Sequence, residues 1–310
     1  MNLGGPDSLE NVRQFLENLF SDPDIFKIPI YQKQIAKFIS KVRAPKIIEE
    51  YKLIGGKSPI IYWTERQKFL LETKLNEKEH LFDVFIAMRY WHPRSVEVCS
   101  KLDSNLYNKI ILFPLYPQYS FTTVRSSVNE WHRYYQGDKD KLIYIHDFYR
   151  NKNYLRALNE KIDLALDKFK VPDKSKIHFL FSAHGIPINY IKQGDPYQNQ
   201  IEETVNLVMK MRNFSNKYSL AYQSKIGPMK WLKPSIDFEI KRLSAKGNKY
   251  LLVIPISFVS DHVETLFELD IKYRKVAEHA GVQDFIIVEG LNDSTRLIDA
   301  LSEEIWKTLS

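Results

Sequence analysis

The sequence predicts an α/β protein of two Rossmann-like lobes, each a mostly parallel sheet of about four strands flanked by helices. Short apolar runs alternate with helical patterns in the first half of the chain, at 83–88, 109–115 and 142–146. A second series of runs follows, at 177–181, 219–222, 250–254 and 284–288. A chain of 310 residues is also long for one hydrophobic core and suits two domains.

We expect the first lobe to span residues 1–148 and the second to span 149–291. Helical patterns at 94–102, 127–135 and 154–169 supply the connections. An amphipathic helix within 292–310 should pack back on the first lobe. The active-site cleft should lie between the lobes, because open α/β sheets place their chemistry at the carboxyl ends of strands.

The composition excludes several classes of protein. The net charge of +7 allows an anionic membrane or an acidic small molecule as partner, but the basic residues are spread along the chain, which disfavours nucleic acid. Cys99 is the single cysteine, so an intrachain disulfide and a cysteine-ligated cluster are excluded. No apolar run reaches transmembrane length, and no signal for an oligomeric state is visible.

The stretch PISFVSDHVETLFELD at 255–270 follows a predicted buried strand. It places Asp261, His262 and Glu264 at the strand's carboxyl end, before a predicted helix. Glu264 and Glu268 share one helical face. An imidazole beside carboxylates suits a divalent metal such as Fe(II), although acidic residues at a helix start also simply complement the helix dipole.

Other predicted strands end in residues of the same kind: Arg89, Tyr90, Tyr116, His184 and Gln223. Two histidines from separate strands, together with acids, are expected to converge. No cysteine nucleophile is near, and Ser182 lies too close to His184 along the backbone for a convincing triad. This inventory favours proton removal and metal handling on a flat apolar ligand.

Motifs along nearly the whole chain resemble those of the ferrochelatase family: NLGGP, IGGKSPI, MRYWHP, YPQYS, SAHGIP, GDPY, QSKIGPMKWL and PISFVSDHVETLFELD. The resemblance implies an enzyme that inserts Fe(II) into protoporphyrin IX, releasing two protons in the last step of haem biosynthesis. It also implies two Rossmann-like lobes with the porphyrin between them. Open alternatives are a chelatase for coproporphyrin or a corrin precursor, and a non-catalytic porphyrin or haem carrier.

Carried over by motif, His184 and Glu264 are the expected catalytic and metal-binding residues. Neutral His184 would accept a pyrrole proton, and either residue could contact iron first. Glu268 would extend a carboxylate route for protons or iron. The expected substrate-binding residues are Arg43, Tyr51, Ser58, Arg89, Tyr90, Tyr116, Trp231, Phe258, Asp261 and His262, of which Trp231 and Phe258 could instead be core residues.

The chain departs from the family pattern at two positions. Lys57 replaces a glycine of IGGGSP, and Val124-Arg125 stand where Thr-Gly is usual. The cysteine-bearing tail that holds a [2Fe-2S] cluster in animal members is not found, so we expect no such cluster and no permanently bound cofactor; ferrous iron is a substrate.

Two further expectations concern location and the chain's start. The segment 28–42 combines apolar and lysine side chains at helical spacing, which suits either a surface helix or peripheral contact with an anionic membrane in a cytoplasmic protein. The family has an apolar strand directly before NLGGP, whereas only Met1 precedes Asn2. We therefore expect that the start of the first strand is missing from this sequence, and a targeting segment could be missing with it. A natural chain with a looser first lobe is the alternative.

Overall fold

The computed structural model describes residues 1–26, 30–79, 81–224 and 229–310. The chain divides into two compact units. Unit 1 comprises Met1–Phe148 and Ile298–Ser310, and unit 2 comprises Tyr149–Leu297. Both units combine parallel strands with helices, which confirms the predicted α/β class.

Unit 1 contains two paired parallel strands among its described residues, β1 (Ile110–Leu112) and β2 (Leu142–Tyr144). Its α-helices are α1 (Val12–Phe20), α2 (Gln32–Lys52), α3 (Ile60–Leu75), α4 (Ser95–Lys101) and α5 (Ser126–Tyr134). A short π-helix, Phe121–Arg125, leads directly into α5. Trp131, Leu112 and Leu142 belong to the core that joins helix and sheet.

The first residues of the chain run parallel between two extended segments of unit 1. The amino group of Met1 donates to the carbonyl of Phe113 at 2.7 Å, and the backbone N–H of Asn2 donates to the carbonyl of Ala87 at 3.1 Å. The backbone N–H of Arg89 returns a bond to the carbonyl of Asn2 at 2.8 Å. Burial lowers the pKa of the Met1 amino group to about 5.

The predicted strand at 83–88 differs from the expectation. The segment is extended, but its ladder contacts among the described residues are isolated bridges at Met88, to Asn2 and to Arg94. Within the described residues, its backbone hydrogen bonds to the neighbouring segment of the chain involve Ala87 and Arg89, which lie beside Asn2. A ladder confined to the carboxyl end of the segment is too short to form a strand. The four-stranded sheet expected in this unit is thus represented by one strand pair and these bridges.

Unit 2 holds a parallel sheet of four strands within the described residues, in the order β4-β3-β5-β6. The strands are β3 (His178–His184), β4 (Tyr218–Gln223), β5 (Tyr250–Pro255) and β6 (Asp284–Ile287). The helices are α6 (Lys152–Leu166), α7 (Ile188–Lys192), α8 (Tyr197–Met211), α9 (Ile236–Ala245), α10 (Tyr273–Ala280) and α11 (Thr295–Leu309), the last of which continues into the residues of unit 1.

Strands β3 and β5 are central and read as nearly continuous apolar runs because both of their faces are covered. On one face, Leu180, Leu251 and Val253 pack with the apolar sides of α9 and α10. This packing fixes the level at which the strands end, and those ends carry the polar side chains described next.

The helix predicted after 263 begins as a nine-residue π-helix, Glu264–Lys272, and becomes α-helical only at Tyr273. Such wide turns are rare and occur frequently at functional sites. A π-turn takes more than four residues and an α-turn takes slightly fewer than four. Residues four apart therefore lie near one face in either kind of helix. Glu264 and Glu268 therefore lie on the same side, as expected from the sequence.

Candidate active site

Three adjacent strands of unit 2 bring their carboxyl ends together at one place. His184 is the last residue of β3 and is paired in register with Gln223, the last residue of β4. Strand β5 lies on the other side of β3 and leads, through a short loop, to Glu264. Parallel strands that end at one level deliver these side chains to a common edge.

His184 and Glu264 form a direct pair at this edge. The imidazole Nδ1 lies 2.8 Å from Oε2 of Glu264, and both side chains are mostly buried. Burial alone would lower the pKa of His184, but the charge and hydrogen bond of Glu264 raise it above its usual value. Burial alone would raise the pKa of Glu264, yet His184 lowers it to about 2. Each group thus stabilises the charged form of the other: the carboxylate favours proton uptake by His184, and the imidazole favours ionised Glu264.

Neighbouring polar groups tie Glu264 to a second carboxylate. The amide Nε2 of Gln223 donates to Oε2 of Glu264 at 3.0 Å. The hydroxyl of Ser224 lies 3.4 Å from the same oxygen and 2.5 Å from Oε2 of Glu268. Glu268 in turn contacts the ammonium group of Lys272 at 2.9 Å. A row of hydrogen-bonding groups therefore leads from His184 along the π-helix to an exposed lysine.

The backbone of His184 is held separately from its side chain. Its N–H donates to the hydroxyl oxygen of Ser257 at 2.8 Å, and the hydroxyl of Tyr197 donates to its carbonyl at 2.9 Å. The hydroxyl groups of Tyr197 and Ser257 also lie 2.9 Å apart. Neither residue was selected from the sequence; Tyr197 belongs to the GDPY motif, whereas Ser257 carries no local signal of its contact with β3.

His262 and Phe258 complete the aromatic wall around His184. The Phe258 ring lies edge-on to both imidazoles, with centroids 5.9 Å from His184 and 4.2 Å from His262. Burial lowers the pKa of His262, which favours its neutral form. Its Nε2 atom is buried and has no hydrogen-bond partner among the described residues. The pKa values of the two histidines are therefore shifted in opposite directions although they share one aromatic neighbour.

The contacts of Asp261 hold two segments of the backbone together. Its carboxylate accepts hydrogen bonds from the side chains of Thr265 at 3.0 Å and Asn292 at 2.8 Å, and from the backbone N–H of Gly290 at 3.1 Å. These bonds fix the loop before the π-helix to the segment after β6. Its expected role in binding substrate stays a prediction.

Trp231 is half-buried beside the SAHG turn, where it forms an antiparallel bridge with Pro187. A Cβ atom added to Gly185 would lie only 2.7 Å from the carbonyl oxygen of Gln223, so the turn requires glycine at this position.

Residues 225–228 of the QSKIGPMKWL motif lie outside the described residues. Residues 27–29, at the start of the segment expected to contact a membrane surface, also lie outside them.

In unit 1, Arg89 is the centre of a buried charge network. Its guanidinium lies 2.9 Å from Asp22 and 3.3 Å from Glu130, and its Nε donates to the hydroxyl of Ser126 at 2.8 Å. The hydroxyl of Tyr90 donates to Asp22 at 2.6 Å. Arg89 and Tyr90 were expected to bind substrate; the contacts seen here are internal, and the substrate role stays a prediction.

The remaining unit 1 candidates also divide by exposure. Tyr51, Ser58 and Tyr116 are buried. The hydroxyl of Ser58 lies where a Cβ on Gly5 would collide with it, at 2.5 Å. Arg43, on α2, is partly exposed, and its guanidinium lies 5.6 Å from the ring centre of Phe20. Arg43 is therefore the member of this set with a cationic group accessible to an anionic ligand.

The coupling within the His184–Glu264 pair predicts a change in titration. Glu264→Gln removes the charge that raises the pKa of His184 while burial remains, so this pKa should fall to or below 6.5. Heteronuclear NMR titration measures the change, and His184→Asn identifies the resonance among the eight histidines. The control is Glu289→Gln, an exposed acid paired with Lys168. An unchanged titration in Glu264→Gln would contradict the pairing.

The buried network predicts a large loss of stability for Arg89→Met. The variant leaves Asp22 buried without its cation, while Glu130 keeps Arg94 and Arg133, and breaking a buried ion pair in this way costs about 3–5 kcal/mol. Urea unfolding measures the loss. The matched control is Arg13→Met, an exposed arginine on α1, for which a change within about 0.5 kcal/mol is expected. Equal stability of the two variants would refute the structural role.

Comparison with known proteins places the chain in a family. A family model described as Ferrochelatase matches residues 1–309. The ferrochelatase of Gloeobacter violaceus is 44% identical over 100% of this chain and 96% of its own. That of Aquifex aeolicus is 47% identical over 98% of this chain and 96% of its own.

A solved structure shows the fold alone. A multi-domain protein of Deinococcus radiodurans, described as structurally similar to chelatases, aligns with a TM-score of 0.51 at 9% identity. The alignment covers 77% of this chain and 50% of that protein. The sequence matches, in contrast, extend over the motifs that carry the site, and they confirm the resemblance seen in the sequence: the chain belongs to the ferrochelatase family.

Proposed function

We propose that this protein inserts Fe(II) into protoporphyrin IX, forming protohaem and releasing two protons. Family membership supports an enzyme that places metal in a porphyrin. The structural observation that carries the proposal is the His184–Glu264 pair at 2.8 Å. One partner can accept a proton, the other can hold a metal ion, and both are positioned by the ends of adjacent strands.

His184 serves as the general base in this proposal. A porphyrin must lose two pyrrole protons before the metal enters, and its ring must bend to expose the nitrogen lone pairs. The raised pKa of His184 makes the deprotonated imidazole a stronger acceptor, and Glu264 stabilises the imidazolium that forms. Nε2 of His184 has no hydrogen-bond partner among the described residues and is the atom that would receive the proton.

The same pair supplies transient ligands for iron. Among the described residues, no group of three or more histidine, cysteine or acidic side chains could hold a metal ion. A closed site with many protein ligands would retain iron, whereas one imidazole and one carboxylate can pass it on. An incomplete ligand set therefore suits a metal that is substrate.

Glu268 and Ser224 extend the hydrogen-bonded groups from the His184–Glu264 pair along the π-helix. The Ser224 hydroxyl lies between the two carboxylates, so a proton can be relayed between them through hydrogen bonds, and a hydrated cation can bind to each carboxylate in turn. We include in the proposal that no permanently bound cofactor takes part. Cys99 is the one cysteine of these 310 residues, and burial raises its pKa to about 11, which disfavours the thiolate that metals bind.

Anaerobic turnover tests the proposed reaction. Absorbance should show loss of protoporphyrin and formation of protohaem with wild-type protein. His184→Ala and Glu264→Gln should each reduce the rate about 100-fold or more, as expected when a general base or its partner is removed. Circular dichroism should show that both variants remain folded.

Parallel reactions separate the alternatives. If coproporphyrin, or a corrin precursor with cobalt, is turned over faster than protoporphyrin, that tetrapyrrole is the substrate instead. Tight porphyrin binding without insertion would indicate a carrier. Near wild-type turnover by both variants would refute the assignment of the pair.

We further propose that α2 contacts an anionic membrane peripherally. None of the helices in the described part of the chain is long and apolar enough to cross a bilayer. On α2, Phe38 and Val42 leave 69% and 63% of their surfaces exposed, beside the exposed Lys37 and Lys41. Exposed apolar side chains among lysines suit the boundary between headgroups and acyl chains. An apolar substrate and product make such contact useful.

Flotation with phosphatidylglycerol vesicles tests this contact. Binding at low ionic strength should weaken with added salt, because the attraction is screened. Reversing Lys33 and Lys37 to Glu should weaken binding about tenfold or more, from roughly 1 kcal/mol for each cation near the surface. The control reverses Lys241 and Lys246, exposed on or directly after α9 of unit 2. Equal binding by both double variants would contradict the proposal.

A further inference from the structure

The hydrogen bonds to Glu264 are distributed unevenly over its two oxygens. Nδ1 of His184, Nε2 of Gln223 and the hydroxyl of Ser224 all approach Oε2, at 2.8, 3.0 and 3.4 Å. No described residue forms a hydrogen bond with Oε1. The carboxylate is therefore anchored through one oxygen, and the other retains its full capacity to accept a proton or bind a cation.

The orientation of the Gln223 amide is determined by groups on both sides. An amide turned the other way would bring its oxygen against the carboxylate of Glu264, which is electrostatically unfavourable. The Ser182 hydroxyl donates to Oε1 of Gln223 at 2.8 Å and so occupies the acceptor end. Ser182 and Gln223 are both buried, which makes each of these bonds costly to lose.

The chain of contacts follows from the sheet. Ser182 and His184 project from the same face of β3, because side chains alternate along a strand. Gln223 is the register partner of His184 on β4, so its long side chain can reach back to Ser182 and across to Glu264. Three strand residues thereby orient one carboxylate that comes from a different element.

We propose that Gln223 is a positioning residue: held by Ser182, its amide occupies Oε2 of Glu264 and leaves Oε1 presented to the incoming metal ion. This inference deepens the proposed function and rests on it for the identity of the ion. Gln223 acts through its contact with Glu264. Its contribution is to hold the ligand group in one orientation, as outer partners of metal ligands do.

The test uses Gln223→Leu, which removes the amide while keeping similar bulk. Titration of porphyrin-free protein with Co(II), followed by absorbance, should show affinity about tenfold weaker than wild type. In steady-state iron insertion, kcat should fall and the apparent KM for ferrous iron should rise, while the KM for porphyrin stays unchanged. A purely structural role would not separate the two substrates in this way.

A matched control exists on α8. Nε2 of Gln198 donates to the carboxylate of Glu202 at 2.8 Å on the surface, so Gln198→Leu removes a bond of the same kind away from the site. This variant should bind Co(II) and turn over as wild type does. Gln223→Leu behaving like Gln198→Leu would overturn the proposal.

Ser182→Ala extends the test and also serves if Gln223→Leu does not fold. It should weaken Co(II) binding in the same direction but less, and the double variant should be no weaker than Gln223→Leu alone. If the losses of Co(II) affinity in the two single variants add up in the double variant, Ser182 does not act through Gln223. A failure of the proposed function would give a different result. Co(II) binding would still weaken in Gln223→Leu, but the wild-type protein would form no haem.

Discussion

The parallel pairing of β3 with β4 and β5 is the constraint on which the site depends. It brings the last residues of two strands into register and leads a third strand to the loop before Glu264. A slip of one residue would turn His184 to the opposite face of the sheet and separate it from its carboxylate. The apolar runs of β3 and β5, buried on both faces, prevent such a slip because it would disrupt their packing on α9 and α10. The chemistry of the site thus relies on the core beneath it.

The two histidines of the site have pKa values shifted in opposite directions. His184 has a raised pKa because it faces a carboxylate, whereas His262 has a lowered pKa because burial dominates. Two residues of one type, both in contact with the ring of Phe258, therefore differ in basicity, with His184 the stronger base. The difference allows proton transfer to be assigned to one of them, and it comes from the position of Glu264 rather than from the histidines themselves.

Much of this arrangement could be predicted from the sequence, because strand ends in an α/β pattern carry local signals. His184, Gln223 and Glu264 were placed correctly beside their strands. The register that joins them could not be predicted, since strand pairing is a long-range property. The π-helix was also missed: a spacing of four between Glu264 and Glu268 fits an α-helix and a π-helix alike. In unit 1, nothing local to Arg89 indicates that Asp22 and Glu130, far away in sequence, take up its guanidinium.

That network limits how the protein can change over evolutionary time. Asp22 and Glu130 share the guanidinium of Arg89, and Glu130 also contacts Arg94 and Arg133. Ser126 and Tyr90 add hydrogen bonds to the network. Replacing Asp22, Arg89 or Glu130 alone alters the charge balance of a buried site that water solvates poorly. An uncharged replacement would therefore have to appear in several of these residues together. Drift at these positions should proceed by concerted exchange, which makes the set a slowly varying marker within unit 1 even where no member contacts a ligand.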